Sequence, residues 1–148
     1  MNIIRATSEH TKLIAPLFDA YRQFYEQPAD AELAHDFIEA RLDDDESIIF
    51  LAIDDDTAVG FTQLYPSYCS IAASNVWVLY DLYVSPNARR KGVAKALLDV
   101  AKSLGKESDA AWLKLETAHS NIPGQKLYES LGWEKDKAFF TYYLDLNH

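Results

Sequence analysis

Apolar and polar positions along this chain switch between a two-residue and a helical period, and the switches mark its elements. Asn2–Ala6 is a short apolar run of strand character. Ser8 offers an N-cap, after which Leu13, Leu17, Phe18, Tyr21 and Phe24 recur at helical spacing until Pro28 closes the segment. Asp30 caps a second expected helix, with Leu33, Phe37, Ile38 and Leu42 on one face and the acidic run Asp43-Asp44-Asp45-Glu46 at its exit. Ile48–Ile53 reads as a buried strand, 54–56 as a turn and Val59–Tyr65 as the returning strand, a hairpin. Val76–Val84 is the most strand-prone stretch, and Ser85-Pro86-Asn87 ends it.

The second half continues the alternation. An amphipathic helix is expected from about Arg89 to Leu104, with Val93, Leu97, Val100 and Leu104 on one face. Lys91, Lys95, Asp99 and Lys102 lie on the other, and Gly105 is the expected residue just past the end. Ala111–Thr117 reads as a strand. Asn121 caps a helix carrying Leu127, Tyr128 and Leu131, which Gly132 ends, and Phe139–Leu146 reads as a final strand. The order is β-α-α-β-β-β-α-β-α-β. It describes a mixed sheet with helices on both faces, an α/β (α+β) fold, over a single domain spanning 1–148.

Composition narrows the class. The chain has 148 residues, 49% apolar and 25% charged, which is globular usage and sits in the usual range for one domain. Its net charge of −9 repels a phosphate backbone, so nucleic acid is an improbable partner class. The longest uncharged run, Thr57–Tyr80, is interrupted by Gln63, Pro66 and several Ser, so it reads as two strands and their connection and not as a membrane span. No leader-like segment is visible at the start, and the expected compartment is cytoplasmic. A single cysteine, Cys69, fits a reducing compartment. His10, His35, His119 and His148 are scattered, so no metal site is expected.

The strongest chemical signal is Val84-Ser85-Pro86-Asn87-Ala88-Arg89-Arg90-Lys91-Gly92-Val93-Ala94. It is a strand, a short turn and a helix start of the form R-x-x-G-x-A. Backbone N–H groups at a helix start have no intrahelical partner, and the helix dipole adds positive potential there. Gly92 and Ala94 leave space for a phosphate to reach those groups. Arg89, Arg90 and Lys91 put three cations where the dipole disfavours them, which calls for an anion, and a pyrophosphate fits. Neither the P-loop nor the three-glycine dinucleotide pattern is present.

This segment resembles the acetyl-CoA-binding motif of the GNAT superfamily of N-acetyltransferases. A second signature of that family is an Asn opening a later helix, followed by a Tyr, a Gly and an aromatic residue; here these are Asn121, Tyr128, Gly132 and Trp133. The resemblance is sharp from Leu79 to Trp133 and looser over the first 75 residues. It implies a mostly antiparallel central sheet and direct acetyl transfer from acetyl-CoA to a primary amine, without a metal. It also implies that Leu82, Tyr83 and Val84 pair their backbone with the pantetheine amides and that N–H groups of Arg90, Lys91, Gly92, Val93, Ala94 and Lys95 hold the pyrophosphate. Asn121 would bond the pantetheine arm, and Tyr128 would protonate the leaving thiolate.

The chemistry of the residues is compatible with those roles. Amine attack on a thioester creates an oxyanion that a strand N–H, here that of Val84, can stabilise. A phenol of pKa about 10 can protonate a thiolate whose conjugate acid lies near 8.5. By spacing alone Tyr128 reads as a core aromatic beside Leu127 and Leu131 before it reads as a catalytic residue; the resemblance reverses that order. Asp81 and Glu116 are the two candidates for removing the amine's proton, and a water chain is a third route. Diamine acetyltransferases of the superfamily carry Glu-Asp where this chain has Tyr80-Asp81, and Tyr80 joins Phe24 and Tyr25 as expected acceptor-site residues. Aromatic faces and a net negative charge suit a small cationic amine: a polyamine, an amino acid or a lysine analogue. A protein lysine or N-terminus is the alternative acceptor, and a CoA-binding module without turnover is the alternative of another class. The aromatic Phe139–Leu144 stretch, as an uncovered edge strand, points to a homodimer.

Overall fold

Five strands hydrogen-bond in chain order into one sheet: β1 (Asn2–Arg5), β2 (Ile48–Asp54), β3 (Thr57–Cys69), β4 (Ser74–Val84) and β5 (Leu113–Leu115). The computed structural model describes residues 1–147, so His148 lies outside it. All neighbouring strands run antiparallel except β4 and β5, which are parallel. Four α-helices accompany the sheet: α1 (Thr11–Phe24), α2 (Ala31–Asp43), α3 (Val93–Glu107) and α4 (Ile122–Ser130). The chain divides into two compact units, Met1–Glu116 and Thr117–His148, with the sheet and α1–α3 in the first and α4 in the second.

Strand alternation sorts the core of the first unit into two faces. Ile49, Leu51 and Phe61 face Ile14, Leu17 and Phe18 of α1 and Ala34 and Ile38 of α2, all buried. On the opposite face α3 packs on β2, β3 and β4, burying Val93, Leu97, Leu98, Ala101 and Leu104. Asp30 caps α2 as expected, its Oδ1 accepting from the Leu33 N–H at 3.0 Å. Gly132 takes φ +93° just past α4, the left-handed conformation that ends a helix.

The structure corrects four expected boundaries. α3 begins at Val93, four residues later than expected, because 89–92 form a turn in which Arg90 (φ 63°) and Gly92 (φ 82°) are both left-handed. It also runs through Gly105, which is buried in the helix, where a Cβ would lie 3.5 Å from the Leu113 side chain. The left-handed stop is Asp109 (φ 55°), with the Asp109 and Ala110 N–H groups bonding back to Lys106 and Gly105. The β3–β4 hairpin is longer than expected at both arms: ladder bonding carries the strands past Pro66 and Ser67 to a turn at 70–73. Last, the expected strand Phe139–Leu146 is absent: 139–147 form no regular element, and Phe140 is 92% exposed. Its composition is strand-prone, but a strand exists only by pairing, and no described strand pairs with it.

Candidate active site

Two features of β4 shape the site. Pairing with β5 covers only Trp77–Leu79, whereas β4 continues to Val84. Among the described residues the β5-side edge of the Asp81–Val84 backbone therefore has no ladder partner, as a cofactor amide chain requires. The second feature is a bulge. In the β3–β4 register Gln63 faces Asp81 and Leu64 faces Leu79, so Tyr80 is an extra residue on β4. Gln63 and Leu64 point to opposite faces. The bulge thus sends Asp81 to the face that carries α1 and Leu79 to the face that carries α3, although simple alternation would put both on one face.

Asp81 lands in a buried polar cluster. It is 5% exposed, and Gln63 is fully buried beside it. Ser47 Oγ donates to Gln63 Oε1 at 2.7 Å, and Gln63 Nε2 donates to Asp81 Oδ2 at 2.7 Å. The Tyr21 hydroxyl donates to the Tyr80 carbonyl oxygen at 3.3 Å, with the Asp81 carboxylate as its competing acceptor. One phenolic proton cannot serve both acceptors fully, and the charged carboxylate is the stronger. Burial pushes the Asp81 carboxyl above its ordinary range, with the Gln63 and Tyr21 hydrogen bonds pulling the other way. Burial also raises Tyr21, with the Asp81 charge adding to it, and pushes Tyr65 up to about 12. The two hydrogen bonds to the carboxylate come from neutral donors, so its charge is stabilised but not cancelled.

An aromatic cluster adjoins this carboxylate through Tyr21 and Tyr65. Tyr21 lies edge-on to Tyr25 at 5.2 Å between ring centres and to Tyr83 at 6.2 Å, and Phe24 meets Tyr25 at 5.3 Å. Tyr65 and Tyr80 meet edge to face at 5.8 Å. Tyr80, Phe24 and Tyr25 are all at least half exposed. The structure therefore gathers Phe24, Tyr25, Tyr80 and Asp81, far apart in the chain, around Tyr21.

At the start of α3 the first intrahelical bond runs from the Ala96 N–H to the Gly92 carbonyl. The N–H groups of Gly92, Val93, Ala94 and Lys95 precede it and have no helical carbonyl to bond. A Cβ on Gly92 would meet nothing within 4 Å, so this glycine serves its left-handed φ and leaves the cradle open. Arg90 and Lys91 are exposed. Arg89 is committed locally: its Nε donates to the Val84 carbonyl at 2.9 Å and its guanidinium stands 5.7 Å from the Tyr83 ring centre. It buckles the end of β4 to the turn, while Lys95 pairs with Asp99 at 3.0 Å.

In the second unit Asn121 caps α4: its Oδ1 accepts from the Gly124 N–H at 3.2 Å, and its Nδ2 donates to Thr117 Oγ1 at 2.9 Å. A Cβ at Gly124 would collide with that amide, which explains the glycine three residues after the cap. Tyr128 is half-buried on α4, its ring 6.4 Å from that of Trp133.

Comparison with known proteins agrees with this architecture. Residues 14–133 match the family model described as Acetyltransferase (GNAT) family. The chain belongs to the GNAT family. It is 41% identical over 146 residues to the Uncharacterized N-acetyltransferase YhfO of Bacillus subtilis, covering 99% of this chain and 98% of that one. It is 30% identical over 120 residues to the Aminoglycoside N(6′)-acetyltransferase type 1 of Salmonella typhimurium, covering 78% and 80% of the two chains. A crystal structure of a probable acetyltransferase superposes with TM-score 0.94 at 43% identity, covering 100% and 99%. An aminoglycoside N-acetyltransferase in complex with CoA shares the fold, with TM-score 0.81 at 23% identity and coverage of 97% and 93%. This protein is an acetyl-CoA-dependent N-acetyltransferase, moving acetyl from acetyl-CoA to an amine. Among the described residues no helix is long and apolar enough to cross a membrane.

Sequence reasoning missed Ser47, Gln63 and Tyr65. The signal that was available is Gln63 itself, an amide set between Thr62 and Leu64 in the middle of an apolar strand, where a buried polar group demands a partner.

Proposed function

We propose that the acceptor is a small amine carrying positive charge, and that Asp81 within its aromatic surround recognises it. The observation that carries this reading is a buried carboxylate held by neutral donors and ringed by Tyr21, Tyr65 and Tyr80. An ammonium supplies the missing charge, and the exposed faces of Phe24, Tyr25 and Tyr80 favour its approach by cation–π attraction. Asp81, its proton affinity raised by burial, then takes a proton from the ammonium through a bridging water. The neutral amine attacks the thioester carbon. The Val84 N–H, at the end of β4 that β5 does not cover, stabilises the oxyanion, and Tyr128 protonates the departing thiolate of CoA. The pyrophosphate of acetyl-CoA rests on the N–H groups of Gly92–Lys95 beside Arg90 and Lys91, with Asn121 on the pantetheine arm.

The test is release of free thiol from saturating acetyl-CoA across polyamines, amino acids, thialysine, aminoglycosides and basic peptides. Turnover of a small amine that neutral alcohols do not match supports the reading. Turnover of peptides alone would replace it with a protein acceptor, and acetyl-CoA binding without turnover would leave a CoA-binding module.

The exposed aromatic run Phe139, Phe140, Tyr142 and Leu144 supports a further part of the reading, a homodimer in which a second copy of this chain covers it. Light scattering should give twice the chain's 16.8 kDa. A monomer mass would sink the dimer.

A further inference from the structure

We propose that Gln63, anchored at its far end by Ser47, is a positioning residue for the acetyl transfer: it holds the Asp81 carboxylate ionised and aimed at the acceptor amine. The inference rests on the reading of Asp81 given above.

The argument starts from the geometry of an amide. Gln63 has a carbonyl end and an NH2 end, and which end meets Asp81 decides which protonation state of the acid is favoured. Ser47 Oγ donates to the carbonyl end at 2.7 Å, and the NH2 end donates to Asp81 Oδ2, also at 2.7 Å. An N–H facing an oxygen favours the carboxylate over the acid. Reversing the amide would place its carbonyl against Asp81 and welcome a proton there, with the Ser47 hydroxyl turning from donor to acceptor, so it is the carboxylate that selects the NH2 end. Ser47 is 5% exposed and Gln63 and the carboxylate are equally dry, so water does not readily substitute for either contact.

Backbone register makes the arrangement stiff. Gln63 sits opposite Asp81 at the edge of the bulge, and Thr62 Oγ1 donates to the Asp81 carbonyl at 2.7 Å. The ionisable groups that feel the carboxylate are Tyr21 from α1 and Tyr65 from β3; beyond them, Tyr25 of α1 and Tyr80 of β4 act on Tyr21, and Tyr80, Arg41 of α2 and its partner Glu46 at 3.0 Å act on Tyr65. Tyr21 donates a second bond, but its hydroxyl is shared with the Tyr80 carbonyl. Gln63 is thus the undivided donor to this acid.

The test follows the Asp81 carboxyl by carbon NMR through a pH titration of the full chain, with Asp81→Asn assigning the signal. Gln63→Leu should raise its midpoint by about one pH unit or more, the size expected for losing a hydrogen bond to an ion. Ser47→Ala, which leaves the amide in place but removes the bond that anchors its far end, should raise it by less. In the thiol-release assay, with the amine that the panel turns over fastest, the acidic limb of kcat/KM should move with the NMR midpoint while the KM for acetyl-CoA stays put. If Gln63→Leu does not fold, Ser47→Ala carries the same sign. A midpoint unmoved in the variants that fold overturns the role of Gln63 and leaves the Asp81 reading standing. An Asp81→Asn enzyme with the wild-type acidic limb overturns the Asp81 reading itself, and the catalytic role of Gln63 with it.

Discussion

Gln63 and Asp81 meet across two antiparallel strands, amide nitrogen to carboxylate oxygen at 2.7 Å, because a single extra residue, Tyr80, shifts the phase of β4 between them and the preceding pair. That bulge aims an acid at the aromatic end of α1. It also explains why Tyr80 is exposed between two buried neighbours, Leu79 and Asp81.

Burial of Asp81 makes stability depend on pH in a defined direction. The folded protein holds its proton above the ordinary value of 3.8, so from that pH upward the native state binds more protons than the unfolded chain. Stability from this group is therefore greatest at low pH and falls as pH rises through the folded midpoint. Asp81→Asn removes the dependence. The difference in Tm, variant minus wild type, should grow from about pH 4 upward and then level off; a flat difference would show that Asp81 ionises normally. The same variant should lower kcat/KM by roughly 10²-fold or more at neutral pH, as expected for loss of a general base.

Tyr128→Phe tests the proton donor. Calorimetry should show acetyl-CoA affinity nearly unchanged, while kcat falls by roughly 10²-fold or more. An unchanged kcat removes this phenol from the mechanism.

The turn before α3 separates conformation from charge. Gly92→Ala gains no clash, since a Cβ there meets nothing within 4 Å, so its whole cost is the φ of +82°. A destabilisation of about 1–2 kcal/mol is expected, together with weaker acetyl-CoA binding as the N–H cradle shifts. Arg90→Ala, by contrast, should weaken binding with Tm unchanged, and more so at low salt. Arg89→Ala should lower Tm as well, because it breaks the bond to the Val84 carbonyl. Equal thermal behaviour of the two arginine variants would refute that division.

Gly60 lies under the cofactor strand. A Cβ there would stand 2.9 Å from the Tyr83 carbonyl oxygen and 3.2 Å from Val93 Cγ1. Gly60→Ala should therefore destabilise by about 1–3 kcal/mol through overpacking and raise the KM for acetyl-CoA by pushing β4 out of line. Wild-type values for both, read by thermal unfolding and steady-state kinetics, would show that β4 yields without cost.

Local chemistry was legible in the chain itself. The phosphate cradle at 89–95 is one contiguous turn and helix start, so its residue types carry its meaning without help from elsewhere. The helix of Asn121 is equally local: cap, glycine and terminator fall within 12 residues. Periodicity placed α1, α2 and the hairpin because each must bury one face, and burial writes its period into the sequence. Three things were decided only by tertiary structure. The start of α3 moved to Val93 because two left-handed residues on either side of Lys91, one of them the non-glycine Arg90, have no compositional mark. The aromatic run 139–146 has strand composition but no partner strand, and pairing is a property of two segments. The environment of Asp81 was the third. Ser47, Gln63 and Tyr21 lie 34, 18 and 60 residues from it and reach it through a strand register that a one-residue bulge inverts. A side chain's face is fixed by counting along the strand, and the count itself is set by the neighbour across the ladder.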